Sequence, residues 1–382
     1  MSGSELAPRI RDFVEQHCIP AESATLAHDI PGLDRVILEL REKARAAGLL
    51  APQVPRELGG LGLGWADCVP VFEEAGRSLL GPGALHCAPP DQPNIHLLDR
   101  HAKPAQRTRH LLPLAAGAVR SFFAMTEPAP GVGSDPAMVR TTATRVPGGW
   151  RLDGRKWFAS GARGAAFGIV VARAEEGISL FFVEAGMPGL TLVRDIGTLD
   201  AFGIGGHTEL LLEDCRVGEE ALLGRLGQGL ALIQQRLEPA RLFHCMRYIG
   251  LASRAMQLAQ DYCRERQFFD QPLAGHQLVQ ALVADAHIDL FAARQMTAHV
   301  ARRFEAGEDI RHESSMLKVF VSEAVSRVAD RALQLTGAHG VSEDGPISLI
   351  TRELRPFRIY DGASEVHRAA IGRRAFHRNL RP

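Results

Sequence analysis

The spacing of apolar residues changes twice along the chain, and that order of textures restricts the fold more than any single motif does. From Glu5 to about Ala118 apolar residues recur at helical spacing, broken by Pro31-Gly32, Gly59-Gly60-Leu61-Gly62 and Pro89-Pro90. From Arg120 to about Val217 the segments are short and extended: Ser121–Met125, Val139–Val146, Trp150–Phe158, Phe167–Arg173, Ser179–Val183, Leu190–Val193 and Thr208–Leu212. Pro147-Gly148-Gly149, Asp153-Gly154 and Met187-Pro188-Gly189 read as turns between them, which predicts a hairpin-rich antiparallel sheet or small barrel. Beyond Gly229 helical patterns return, with Val279, Val283, Ala286, Leu290 and Ala293 on one face and Leu317, Val321, Ala324, Val328 and Leu335 on another. The expected class is α+β: a helical domain over 1–118, a central antiparallel β-domain over 119–220, and a bundle of long antiparallel helices over 221–382. A Rossmann domain is excluded, because strand and helix never alternate and the glycines at 59–64 miss the G-x-G-x-x-G spacing.

Charge and cysteine usage remove several functions from consideration. With 44 Lys+Arg against 44 Asp+Glu there is no net field to gather nucleic acid or an anionic membrane. No run of 18 apolar residues occurs, and Met1–Glu15 lacks the apolar stretch of an export signal, so the expectation is a cytoplasmic protein with no membrane partner. Six scattered cysteines, with no pair at metal-ligand or redox spacing, predict reduced thiols and no metal site. At 382 residues the chain is long enough to enclose a cofactor. Forty of the basic residues are Arg and only four are Lys, so a lone Arg marks nothing by itself.

Two segments carry chemical potential. Phe123–Asp135 (FAMTEPAPGVGSD) puts a hydroxyl and two glycines just after a strand, and Asp153–Gly161 (DGRKWFASG) puts an aromatic pair before a small hydroxyl residue. On spacing alone the first reads as a Gly/Pro loop and the second as a strand end packed in a core. Taken in order with Leu50–Gly64 (LAPQVPRELGGLGLG), Arg264–Gln277 (RERQFFDQPLAGHQ), Gln334–Gly340 (QLTGAHG) and Ile359–His367 (IYDGASEVH), they give the chain a resemblance to the acyl-CoA dehydrogenase family over essentially its full length. Cys87–Asn94, the short strand Lys156–Gly161, His244–Gly250 and Asp361–His367 most resemble the branch whose large eukaryotic members also carry a phosphotransferase domain. The resemblance implies an N-terminal helical domain, a central β-domain, a C-terminal four-helix bundle, non-covalent FAD, an acyl-CoA substrate, an electron-transfer flavoprotein as electron acceptor, and a homotetramer or dimer.

It also implies roles for residues. The family's base is most often Glu in a Tyr-Glu-Gly-Thr segment; the matching residue here is Asp361, in Tyr360-Asp361-Gly362-Ala363. Members that place the base on a long helix just before an Arg have Ala240 and Arg241 as their counterpart here, which offers no carboxylate. Aspartate is one methylene shorter, a retreat of roughly 1.5 Å, and the bland reading is a residue that caps the following helix. Met125, Thr126, Trp157 and Ser160 correspond to residues lining the isoalloxazine. Arg266, Phe269, Gln277, Gln334, Gly337, Ala338 and Glu365 correspond to residues that hold the rest of FAD across a subunit contact. Ser134, Arg241 and Gly362 correspond to the substrate side, although a surface or interhelix pair remains open for Arg241 among 40 arginines.

Three activities follow. The first is α,β-dehydrogenation of an acyl-CoA; the second is a flavin oxidase of the same fold, of nitroalkane or acyl-CoA oxidase type; the third is a non-catalytic partner subunit in a hetero-oligomer. The acyl group is open: Asp91, Asn94 and His96 either make the acyl pocket partly polar or, the reading favoured by their type, face solvent.

Overall fold

The computed structural model describes residues 2–376. By compactness the chain forms two units, one of Met1–His28, Leu63–Ala84 and Arg241–Pro382, the other of Asp29–Gly62 and Leu85–Ala240.

The second unit is built on a sheet whose strands are β1 (Ser121–Ala124), β2 (Thr142–Val146), β3 (Gly149–Ser160), β4 (Phe167–Ala174), β5 (Gly177–Glu184), β6 (Leu190–Asp195), β7 (His207–Gly218) and β8 (Leu222–Leu223). They run in the order β6-β7-β3-β2-β4-β5-β8. The strands β4 and β5 are buried almost throughout, which is why FGIVVARA and GISLFFVE read as nearly continuous apolar runs. Phe122, Trp150, Phe167, Leu180, Phe181 and Leu210 form the centre of this core.

Two features depart from the expected sheet. It is not wholly antiparallel: β1 pairs parallel with β4, and Thr142 of β2 meets Arg173 of β4 in the same sense. The 42 residues between β1 and β4 contain two other strands, and a connection of that length permits a parallel partner where a tight turn does not. Asp153-Gly154 is also not a turn. The strand β3 passes straight through it with a register shift between Leu152 and Gly154. A Cβ on Gly154 would lie 2.4 Å from Thr141 Oγ1, so the glycine is there for close approach of a neighbouring chain segment.

In the first unit, helix Gln277–Glu305 buries Ala286, Leu290, Ala293, Thr297 and Val300. Helix Arg311–Val341 buries Leu317, Val321, Ala324, Val328 and Leu335, the face that the periodicity predicts. Gly337 (φ 57°, ψ −136°) interrupts that helix near its end. Trp65 packs against Phe243 and Phe304 at ring distances of 4.8 and 4.5 Å, and Phe72 stacks on Phe243 at 4.3 Å. Glu22 ties the N-terminal segment down: its carboxylate accepts from Arg254 Nη1, Ser78 Oγ and the Leu79 amide at 2.7–2.9 Å.

Helix Gly229–Glu265 supplies Arg236 to one unit and Arg241, His244 and Arg247 to the other. Among the described residues no helix is long and apolar enough to cross a membrane, no disulfide is formed, and all six cysteines are buried.

Candidate active site

In the first unit, polar groups converge on a tight turn, Tyr360-Asp361-Gly362-Ala363, between a short 3-10 segment (Arg355–Arg358) and helix Ser364–Ala375. Asp361 has φ +54° and Gly362 φ +100°. Asp tolerates the left-handed region better than most side chains do, and only glycine suits the next position. A Cβ on Gly362 would lie 2.5 Å from His367 Nε2.

Three cationic or imidazole groups clamp the turn's backbone. Arg241 Nε donates to the Asp361 carbonyl at 2.8 Å, His367 Nε2 lies 3.1 Å from the same oxygen, and Lys318 Nζ donates to the Gly362 carbonyl at 2.7 Å. Lys318 is fully buried. Burial lowers its pKa to about 8, although the Asp361 charge opposes the fall. Burial likewise depresses His367 to about 4, so it donates as a neutral ring. Arg241 is buried and serves this turn, which disposes of a surface pair. Asp361 caps nothing: the N-cap of the following helix is Ala363, with no side-chain bond.

The Asp361 carboxylate keeps about 18% of its side chain exposed, and its Oδ2 lies 3.3 Å from His244 Nε2. His244 is buried among Tyr248, Phe357 and Tyr360, with ring centroids at 5.9, 5.6 and 5.0 Å. Arg247 Nη2 meets the other imidazole nitrogen, Nδ1, at 2.8 Å, and also donates to Tyr248 Oη at 3.0 Å. Tyr360 Oη donates to Tyr248 Oη at 2.6 Å. Burial works against the Arg247 charge, but the neighbouring Tyr248, Tyr360 and Glu353 raise its pKa above the usual arginine value.

A second constellation lies in the other unit, where β1 runs into Met125-Thr126-Glu127. A register shift in β3 between Lys156 and Ala159 takes Trp157 and Phe158 out of the ladder. The Trp157 amide then donates to the Thr126 carbonyl at 3.0 Å, and Lys156 Nζ donates to the Met125 carbonyl at 3.0 Å and to Glu127 Oε1 at 2.7 Å. Glu127 also accepts from the Arg140 amide, the Thr141 amide and Thr141 Oγ1 at 2.6–2.9 Å. Burial alone would raise its pKa; the Lys156 charge and these donors outweigh that and bring it down to about 2. So Met125, Thr126 and Trp157 are held together, and the Trp157 indole Nε1 is buried without a protein partner. Ser160 ends the same strand, its Oγ 2.8 Å from His207 Nδ1, while His207 Nε2 faces Asp200 Oδ2 at 3.5 Å.

The remaining candidates take no part in the contacts just described. Ser134 is exposed in the loop after β1. Arg266, Phe269, Gln277, Gln334, Gly337, Ala338 and Glu365 are all exposed. Phe269, with φ +46°, is on the Phe269-Asp270 turn of a small hairpin, and Gln277 starts the helix that follows.

Asp91 and Asn94 do not face solvent; both are buried. Asp91 Oδ1 accepts from the Ser121 amide and Oγ at 2.8 Å each, Asn94 Nδ2 donates to Ser121 Oγ at 2.9 Å, and Arg236 Nε donates to Asn94 Oδ1 at 2.7 Å. The Arg236 guanidinium lies 4.0 Å from the centre of the Phe123 ring. These groups can be buried because they satisfy one another. His96, on the same helix, is half-buried, and burial lowers its pKa to about 3.

His244, Arg247, His207 and Lys156 complete these contacts without any role expected from sequence. A signal was present for some of them: His244 and Arg247 are three apart on a helix and share a face. Two of only four lysines, Lys156 and Lys318, are fully buried, and each holds a backbone carbonyl beside a candidate residue.

Three acyl-CoA dehydrogenase domain models match this chain: the N-terminal domain over 3–118, the middle domain over 122–215 and the C-terminal domain over 227–376. The chain is 34% identical to the probable acyl-CoA dehydrogenase FadE2 of Mycobacterium tuberculosis, over 96% of this chain and 93% of that protein. It is 32% identical to acyl-CoA dehydrogenase family member 11 of Mus musculus over 97% of its length, and spans 50% of that longer protein. A solved chain from Mycobacterium abscessus assigned to the acyl-CoA dehydrogenases superposes with a TM-score of 0.91 at 30% identity, covering 99% of this chain and 98% of that one.

Proposed function

The chain belongs to the acyl-CoA dehydrogenase family, and from that premise we propose that it desaturates an acyl-CoA thioester with Asp361 as the base. Asp361 takes the α proton, the C–H electron pair becomes the α,β double bond, and the β hydrogen departs as hydride. FAD, when bound, would supply the acceptor for that hydride, with an electron-transfer flavoprotein as the onward electron acceptor.

The observation that carries this reading is the Asp361 turn. A base must be held within a fraction of an ångström, since a misplacement of about 1 Å costs on the order of 100-fold. Here the carbonyls of Asp361 and Gly362 are gripped by Arg241, His367 and Lys318. The carboxylate itself is only partly covered, which leaves an oxygen for substrate. Arg241 and Gly362, assigned to the substrate side by resemblance, thus contribute at least by fixing the base; Ser134 remains the candidate for the CoA tail.

The residues assigned to FAD suit it chemically. The unpartnered indole N–H of Trp157 and the hydroxyls of Thr126 and Ser160 are the polar groups that a flat heteroaromatic ring needs. Arg266, Phe269, Gln277, Gln334, Gly337, Ala338 and Glu365 are proposed to hold the rest of the cofactor from a neighbouring subunit of a homotetramer or dimer. In support, Phe269 is 81% exposed, and Leu278, Ile288 and Phe291 stand 65–83% exposed on the adjoining helix, an apolar area that assembly would cover. The protein is proposed to act in the cytoplasm.

The test is anaerobic addition of acyl-CoAs of differing length and branching to the flavin-loaded protein, followed by oxygen. Bleaching with slow reoxidation is expected. Rapid peroxide release would make it an oxidase, and no response to any thioester would make it a non-catalytic subunit.

A further inference from the structure

Both nitrogens of His244 are engaged, and the two contacts together determine where its proton sits. Arg247 brings only N–H groups: Nη2 lies 2.8 Å and Nε 3.2 Å from His244 Nδ1. An N–H cannot face two guanidinium N–H groups, so Nδ1 is the lone-pair nitrogen and the ring proton is on Nε2. That nitrogen is the one 3.3 Å from Asp361 Oδ2, a close approach that is not aligned as a hydrogen bond, and Oδ2 is a buried oxygen without a hydrogen-bond partner.

We propose that His244, with its tautomer set by Arg247, is the positioning residue for the Asp361 carboxylate: its Nε2–H holds Oδ2 and leaves Oδ1 as the oxygen that takes a proton. The inference rests on the reading of Asp361 as base. It gives a physical account of an aspartate in a position where a longer carboxylate is common. Asp361 reaches less far, and the imidazole, wedged between Phe357, Tyr360 and Tyr248, fixes the rotation of its carboxyl plane from behind.

The contacts around this pair come from several elements. Arg247 and Tyr248 come from the histidine's own helix, Tyr360 from the turn, and Lys318 from helix Arg311–Val341. Arg241 and His367 hold the backbone on the far side of Asp361, and Cys245 is buried close to Asp361 and Lys318. Glu353 is the acidic neighbour of Arg247. Arg247 is the cation pressed against the imidazole, on its Nδ1 side.

The test separates proton removal from oxidation. A 3-thiaacyl-CoA has an α C–H but no β C–H, so exchange of its α hydrogen into D2O reports the base alone. Parent, His244→Gln, His244→Leu, Arg247→Met and Asp361→Asn are compared for this exchange, for anaerobic flavin reduction by an ordinary acyl-CoA, and for flavin content and ligand affinity. Gln offers an amide N–H in place of Nε2–H and is expected to retain exchange within about tenfold of the parent; Leu is expected to lose on the order of 100-fold. Flavin content and ligand affinity are expected to match the parent in both. Arg247→Met frees the tautomer and is expected to slow exchange with a changed pH profile.

Parent-like exchange in His244→Leu, with Asp361→Asn inactive, would overturn the role of His244 and leave the base assignment standing. Equal loss in His244→Gln and His244→Leu with falling flavin content would assign the residue to folding instead and also overturn it. Parent-like exchange in Asp361→Asn would remove the base assignment and this inference with it.

Discussion

The ammonium of Lys318 donates to the carbonyl oxygen of Gly362 at 2.7 Å, from a side chain with no access to solvent. A buried charge is retained only where something holds it, and here it anchors the residue next to Asp361. Lys318→Met keeps the volume and removes the donor. The carbonyl left without this partner is expected to cost about 1–3 kcal/mol in denaturant unfolding. Substrate-driven flavin reduction should fall at least tenfold while flavin content holds, and rapid mixing would check this.

The Glu127–Lys156 pair predicts a different phenotype. Both side chains are buried, and Glu127 binds Lys156, Thr141 and the Arg140 amide at once. Glu127→Gln leaves the lysine charge without its counterion, for an expected loss of roughly 3–5 kcal/mol. Because Lys156 also holds the Met125 carbonyl, flavin absorbance relative to protein absorbance should drop in this variant. Lys318→Met should not show that drop.

Acid stability follows from buried histidines. Burial holds His86 and His96 at about 3, and His110 and His367 at about 4, each below the ordinary 6.5. The unfolded chain therefore binds protons that the folded chain refuses, so their contribution is full above pH 6.5 and is lost as pH falls to about 4 for His110 and His367 and to about 3 for His86 and His96. For a ring as buried as His86 the loss at pH 5 is on the order of 2 kcal/mol. Glu127 acts lower: its pKa of about 2 keeps its contribution intact above 4.5 and loses it only as pH falls to about 2. Unfolding midpoints between pH 7 and pH 4 should decline well before the carboxylates titrate. His110→Phe, which preserves the stack on Phe182 at 4.2 Å, should flatten the slope.

The alternation of helical and extended periodicity carried the class of fold, because burial of one face writes its own period into the chain. What escaped it were contacts between distant segments. Asp153-Gly154 has the composition of a turn, yet the approach of Thr141 is what requires the glycine. Asp91 and Asn94 have the composition of a wet surface, yet Ser121 and Arg236 satisfy them in the interior. His244 and Arg247 lie within a segment that already set this chain's branch resemblance, but the group that His244 approaches is more than 110 residues away, at Asp361. The scarcity of lysine, which discounts a lone arginine, also singles out the lysines themselves. In a chain that uses arginine almost everywhere, Lys156 and Lys318 stand where a compact ammonium fits in a buried space.

Asp361, as the proposed group that removes a proton from substrate, is tested with the least change in shape by Asp361→Asn. Flavin-loaded parent and variant are mixed anaerobically with the acyl-CoA that bleaches the parent fastest. The expected result is full flavin content, unchanged acyl-CoA binding and a bleaching rate lowered by at least a thousandfold, about 4 kcal/mol of transition-state stabilisation. Bleaching at the parent rate would show that another group takes the proton.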